Sequence, residues 1–249
     1  MYSQIRHVYA TFTHMEKQVR SVLAVGAHAD DLEFFAGGTI CKYIEEGADV
    51  FYLILTDGSK GSEDHLIHPT DLIERRKAEQ KKAAQILGVK DVTFFDYVDG
   101  ELENSLDVRR RIVKLIRKLK PDVVITFDPS YLYDVSWGLV NHPDHRVSGQ
   151  ATMDAVFPFS QNRRFLPELI QMGEKIHYVS TLLLINLKHH NHCVDISEYF
   201  EKKLEALAAH VSQKDDSEEV KKLVMKLCER VEGGGTQYVE CFVKIELAS

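Results

Sequence analysis

Two short stretches of this chain set histidine beside aspartate: Gly26-Ala27-His28-Ala29-Asp30-Asp31-Leu32-Glu33 and Asn141-His142-Pro143-Asp144-His145. Imidazole nitrogens and carboxylate oxygens form the donor set of a catalytic zinc centre. Such a centre takes three protein ligands, often two His and one carboxylate, and leaves a fourth position for water. His28 and Asp31 stand three residues apart, so a turn can aim both side chains at one point. A third ligand must come from elsewhere, and the second stretch offers one. Taken singly, neither stretch is diagnostic. A His-x-x-Asp is commonly a loop hydrogen bond, and Asp144 can simply cap the helix that follows. The pair together points to a catalytic metal site.

The surrounding pattern says which elements must position these groups. Residues 22–26 (VLAVG), 50–55 (VFYLIL), 92–95 (VTFF) and 122–127 (DVVITF) are short apolar runs, the mark of parallel strands buried on both faces. Helices are expected between them. One lies near Gly37-Gly38-Thr39 and ends near Gly47; one is capped by Asp71 and stopped by Gly88; one spans 108–119 and is ended by Pro121. A further helix is expected over 145–156. This alternation predicts an α/β fold with a doubly wound, mostly parallel, Rossmann-like sheet. With strand order 3-2-1-4-5, the order reverses between strands 1 and 4, and ligands bind in the crevice at their carboxyl ends. Both His/Asp stretches fall there. The last third departs from the alternation. Strands are expected over 178–185, 193–196 and 238–247, helices over 197–211 and 218–232, and a glycine hinge over 233–235. The reading is one domain over 1–249, with an extension over 1–20 and an additional C-terminal strand/helix portion over 175–249 packed on the core.

Bulk properties remove several classes. The net charge of −7 argues against a nucleic-acid surface, though a basic pocket can exist inside an acidic protein. No run approaches the roughly 20 apolar residues of a membrane span, and the N-terminus lacks a signal-peptide core. Cys41, Cys193, Cys228 and Cys241 form no CxxC pair and read as reduced, mostly buried thiols, with the cytoplasm as default compartment. A nucleotide-binding protein of the same fold class is the main rival. The turn after the first strand lacks GxGxxG, however, and puts two acids where phosphate would sit.

AHADDLE and NHPDH resemble the paired signatures of the LmbE-like (PIG-L) zinc deacetylases, with Ala29 where that family usually carries Pro. Gly37-Gly38-Thr39, residues 74–88 (ERRKAEQKKAAQILG) and residues 193–206 (CVDISEYFEKKLEA) are similar to further parts of it, so the likeness spans roughly residues 20–245. The resemblance implies one zinc ion per subunit on His28, Asp31 and His145. It makes Asp30 the general base, places His142 at the scissile amide and has Asp144 orient His142. Arg76, Tyr238 and Asn141 fall on the substrate side; some relatives have Arg in place of Asn141. The implied reaction removes the N-acetyl group of an N-acetylglucosamine-type sugar or glycoconjugate. The implied partners are a small-molecule sugar and further copies of the chain, hexamers among them, with no nucleic acid and no membrane span.

The roles are chemically coherent. Adjacent side chains diverge, so Asp30 stays free as a base while Asp31 binds metal. Asp144 beside His142 would favour the charged imidazole, which can stabilise an oxyanion. Outside these stretches, the His189, His190 and His192 run reads as a solvated turn. Trp137 reads as packing rather than as a sugar-stacking ring, and Asp57 is set aside.

Overall fold

Val22, Leu23, Ala24 and Val25 are fully buried aliphatic residues, so the strand that carries them must have protein on both faces. In the computed structural model this is β1 (Ser21–Gly26), near the middle of the main sheet. The structure describes residues 18–62, 64, 66–213, 217–232 and 235–247. Most of the expected N-terminal extension, and Gly233 and Gly234 of the expected hinge, lie outside the described residues.

After β1 come α1 (Asp31–Glu45), β2 (Asp49–Thr56), α2 (Pro69–Leu87), β3 (Asp91–Tyr97), α3 (Leu106–Leu119) and β4 (Val123–Phe127). A small hairpin, β5 (Tyr133–Asp134) and β6 (Leu139–Val140), precedes α4 (Pro143–Val156) and the short α5 (Pro167–Gln171). The rest is β7 (Thr181–Ile185), β8 (His192–Asp195), α6 (Phe200–Leu207), α7 (Ser217–Cys228), β9 (Glu229–Glu232) and β10 (Gly235–Glu246).

The sheet runs β3-β2-β1-β4-β7-β10-β8, with β9 on β10. Strands β3, β2, β1, β4 and β7 are parallel, and the order reverses between β1 and β4 as expected. β10 is antiparallel to β7, β8 and β9, so the C-terminal portion extends the same sheet. Alternate residues of β1 feed two cores. Val22 and Ala24 join Ile40 of α1 and Leu87 of α2 on one face, while Leu23 and Val25 join Ile112 of α3 and Ala151 of α4 on the other.

Several expectations are corrected. α1 begins at Asp31, inside the first signature, because the Asp31 carboxylate accepts the Ala27 and His28 N–H groups and closes the turn itself. α2 begins at Pro69 with His68 as its cap, since Pro fits the first helical position. The helix expected over 218–232 stops at Cys228, where 229–232 pair with β10 instead. Cys193 and Cys241 are not free thiols. Register places them directly opposite in β8 and β10, Cα atoms 4.0 Å apart, and a disulfide joins them; Cys41 and Cys228 are free and buried. A separation of 48 residues hides that pairing from the sequence.

Two contacts seat the site-bearing helices. Gly149 lets α4 lie against the end of β4, since a Cβ there would collide with the Phe127 carbonyl. Glu240 of β10 reaches across to α1, accepting the Gly38 and Thr39 N–H groups at 3.0 and 2.7 Å. Its charge is met by Lys203 of α6, which also donates to the Phe34 carbonyl; both side chains are essentially fully buried. Removing one member of a buried pair strands the other charge. Lys203→Met is therefore expected to cost about 3–5 kcal/mol, read as a lower denaturant midpoint; an unchanged midpoint would show that the clamp is not structural.

Candidate active site

The carboxyl ends of β1, β3 and β4 and the N-termini of α1 and α4 meet at one place. Asp31 Oδ1 lies 3.0 Å from His145 Nε2, and Asp31 Oδ2, the oxygen that closes the turn, is 3.7 Å from His28 Nδ1. One ligand atom from each of His28, Asp31 and His145 lies within 4.8 Å of the others. His28, His142 and Asp144 form a second such group that shares His28. A third, His190 with Cys193 and Cys241, has its sulfurs tied in the disulfide.

The donor chemistry fits a divalent cation. His28 is surrounded by acids: its Nε2 is 3.2 Å from Asp144 and 3.3 Å from Asp99. Burial opposes its charge, but Asp144, Asp31 and Asp99 outweigh burial and push the imidazole up to about 12. Asp31 is itself held well below the usual carboxylate range: burial pulls the other way, and His145 and His28 prevail. A field that draws a proton this strongly draws a cation.

His145 is oriented by its neighbours. The Asn141 amide donates to the Tyr131 carbonyl through Nδ2, which leaves Oδ1 as acceptor for His145 Nδ1–H at 3.1 Å. His145 Nε2 is thereby the nitrogen turned to Asp31. The ring also stacks on Phe127, with centroids 4.0 Å apart and planes within 6°.

Asp30 adopts a left-handed backbone, φ 92°, at the residue before α1. Its N–H donates to Gln80 Oε1 at 3.0 Å, and Gln80 Nε2 donates to Glu33, which also contacts His210. Burial, opposed by Arg76 and reinforced by Asp31, raises the Asp30 carboxyl to about 6. Arg76 stands 3.8 Å from it and donates to the Ala29 and Gly58 carbonyls.

His142 is the N-cap of α4, its Nδ1 accepting the Asp144 N–H at 3.2 Å. Nε2 therefore carries the free N–H. Its pKa is lowered by burial and by the charges of His28 and His145, which outweigh the upward pull of Asp144. The net direction is opposite to the rise expected from Asp144 alone.

The Asp144 carboxylate accepts from Gly100 and Leu102 N–H, touches His28, and has an oxygen within 4.8 Å of an imidazole nitrogen of His142. The Asn141 side chain is buried, and its amide is engaged by the Tyr131 carbonyl and by His145. Tyr238 lies on β10, where its ring stacks on Phe200 of α6 with centroids 3.7 Å apart. Arg76 is 3% exposed and holds the loops around Asp30. Asp99, missed in the sequence, contacts His28 from the loop after β3, and its N–H is held by Asp57. An acid at a third strand's carboxyl end was the available signal. Beside His142 and His145 lies an apolar pocket walled by Phe35, Phe127, Leu139 and Val140.

Comparison with known proteins gives the same picture. A family model described as "PIG-L: GlcNAc-PI de-N-acetylase" matches residues 23–156. A diacetylchitobiose deacetylase of Thermococcus kodakarensis is 38% identical over 195 residues, covering 78% of this chain and 70% of that protein. A Bacillus anthracis protein named "Probable N-acetyl-alpha-D-glucosaminyl L-malate deacetylase 2" is 32% identical over 79% of this chain and 83% of its own. Among solved structures, the N,N'-diacetylchitobiose deacetylase of Pyrococcus horikoshii in complex with its inhibitor superposes with a TM-score of 0.80. It is 31% identical and covers 92% of this chain and 84% of that one. By signature, fold and these matches, the chain belongs to the PIG-L (LmbE-like) de-N-acetylase family.

Proposed function

We propose that this protein hydrolyses the N-acetyl amide of an N-acetylglucosamine-type sugar or glycoconjugate, releasing acetate and a free amine, with zinc held by His28, Asp31 and His145. The observation that carries the reading is the convergence of those three donors from two distant stretches. The named activities of the two curated relatives support it.

When bound, zinc polarises the amide carbonyl and eases deprotonation of water at neutral pH. Asp30 takes the proton from the attacking water. Its raised pKa suits a base that is ionised at neutral pH yet basic enough to accept. As water oxygen bonds to the carbonyl carbon, negative charge grows on the carbonyl oxygen, and His142 Nε2–H is placed to donate to it. The proton on Asp30 then passes to the amine nitrogen as the C–N bond breaks, leaving acetate. Arg76 keeps Asp30 and the Gly58 loop in register through its carbonyl contacts.

We propose also that the protein self-associates. Tyr133, Val135 and Val140 of the β5–β6 hairpin are largely exposed apolar side chains beside the site, a surface that favours contact with another chain. No helix among the described residues is long and apolar enough to cross a membrane.

Two measurements test the chemistry. Asp30→Asn should keep its metal content, measured by elemental analysis, while acetate release falls by about 10²–10⁴-fold; unchanged turnover would remove the assignment of the base. Stripping metal with a chelator should abolish acetate release and zinc should restore it, while His145→Ala should bind well under one zinc per chain. Full activity after complete metal removal would end the metal-hydrolase reading.

A further inference from the structure

The apolar pocket beside His142 and His145 does not close on itself. Phe35, Ile185 and Leu187 wall both it and a second groove, which continues towards the C-terminal portion. The lining changes character there. The first pocket is lined by no acid, lysine or arginine. The second is lined by Lys226, Arg230 and His190, with Trp137 of the hairpin opposite.

Its one acid, Glu240, is 4% exposed and already satisfied by Lys203 and two backbone N–H groups. Lys226 and Arg230 form no ion pair among the described residues: Lys226 Nζ lies 4.6 Å over the Trp137 ring, and Arg230 donates to the Glu229 carbonyl. The chain as a whole carries a net charge of −7. Two unpaired cations gathered beside the cleavage pocket of an acidic protein focus the field for an anion. Trp137 is 38% exposed and lines this groove.

We propose that this groove is the subsite for the group attached to the acetamido sugar, and that it selects an anionic group, a carboxylate or a phosphate. Lys226 and Arg230 bind the anion, and Trp137 forms the wall against which the linking atoms lie. The inference rests on the deacetylase reading above, and it adds the class of substrate.

The test uses zinc-loaded protein and three substrates: N-acetylglucosaminyl L-malate, N-acetylglucosamine 1-phosphate and neutral diacetylchitobiose. The wild type should favour at least one anionic substrate in kcat/KM, and the preference should shrink as salt is raised. The double variant Lys226→Gln/Arg230→Gln should lose about tenfold or more on that substrate, mainly through KM, as expected for hydrogen bonds to a charged group. Its loss on diacetylchitobiose should be several-fold smaller than on that substrate, since the attached sugar there carries no charge for the two cations to bind. The two anionic arms separate a carboxylate preference from a phosphate one. A wild type indifferent to charge, or a variant that loses equally on all three, overturns the proposal.

Calorimetric binding of the amine product glucosaminyl L-malate and of glucosamine 1-phosphate keeps this failure distinct from failure of the parent reading. Binding of either that depends on Lys226 and Arg230, with no acetate released from any substrate, would retain the subsite and discard the deacetylase. Binding unaffected by the double variant discards the subsite whatever the turnover.

Discussion

The carboxylate of Asp31 holds two distant parts of the chain in one place. One oxygen accepts the Ala27 and His28 N–H groups, which folds the end of β1 into the start of α1. The other faces His145 from α4. The same group thus shapes the loop that carries His28 and Asp30 and fixes the far edge of the metal cluster. Such a role demands a charged, two-oxygen acceptor: an amide would present N–H to one of these partners and lose either the turn or the imidazole. Burial makes the demand stricter, because an acid that is 5% exposed must be fully paired to stay ionised.

How much of this could be read from the sequence follows from the range of each interaction. β1 to β4 and the reversal between β1 and β4 were legible because fully buried parallel strands leave unbroken apolar runs. His28 and Asp31 were legible because their partnership is local, and His145 because the strand order brings its loop beside theirs. The partners of Asn141, His145 and the Tyr131 carbonyl, were not legible because they are set by loop geometry rather than by residue type. The same holds for the contact of the Asp144 carboxylate with His28. Tyr238 and the Cys193–Cys241 disulfide depend on the register of β10, which no local pattern encodes.

The C-terminal portion was the least legible part, yet it reaches the centre by several routes. Glu240 and Lys203 hold the first turns of α1, which begins with Asp31. His210 contacts Glu33, which Gln80 links to the backbone of Asp30. Lys226, Arg230 and Trp137 line the neighbouring groove. The parallel half of the sheet therefore supplies the chemical groups, and the antiparallel half holds them and shapes the space beyond them. That division accords with relatives whose named substrates differ.

The adjacency of Asp30 and Asp31 poses the hardest local problem, and the backbone solves it. Two neighbouring carboxylates would repel each other if both faced the cation site, and a chain in ordinary helical geometry would hold both near the first turn of α1. The left-handed conformation at Asp30 breaks that geometry at the last residue before the helix. A non-glycine residue there costs on the order of 1–3 kcal/mol, and persists only where its surroundings over-determine it. Here they do: Gln80 accepts the Asp30 N–H, Arg76 holds the preceding carbonyl of Ala29, and Phe34 N–H donates to the Asp30 carbonyl. The conformation leaves one carboxylate in the cluster and the other beside it with 28% of its side-chain surface exposed. Separation of two adjacent acids at one left-handed residue meets the need of the proposed roles, a base beside a cation site, without a second loop.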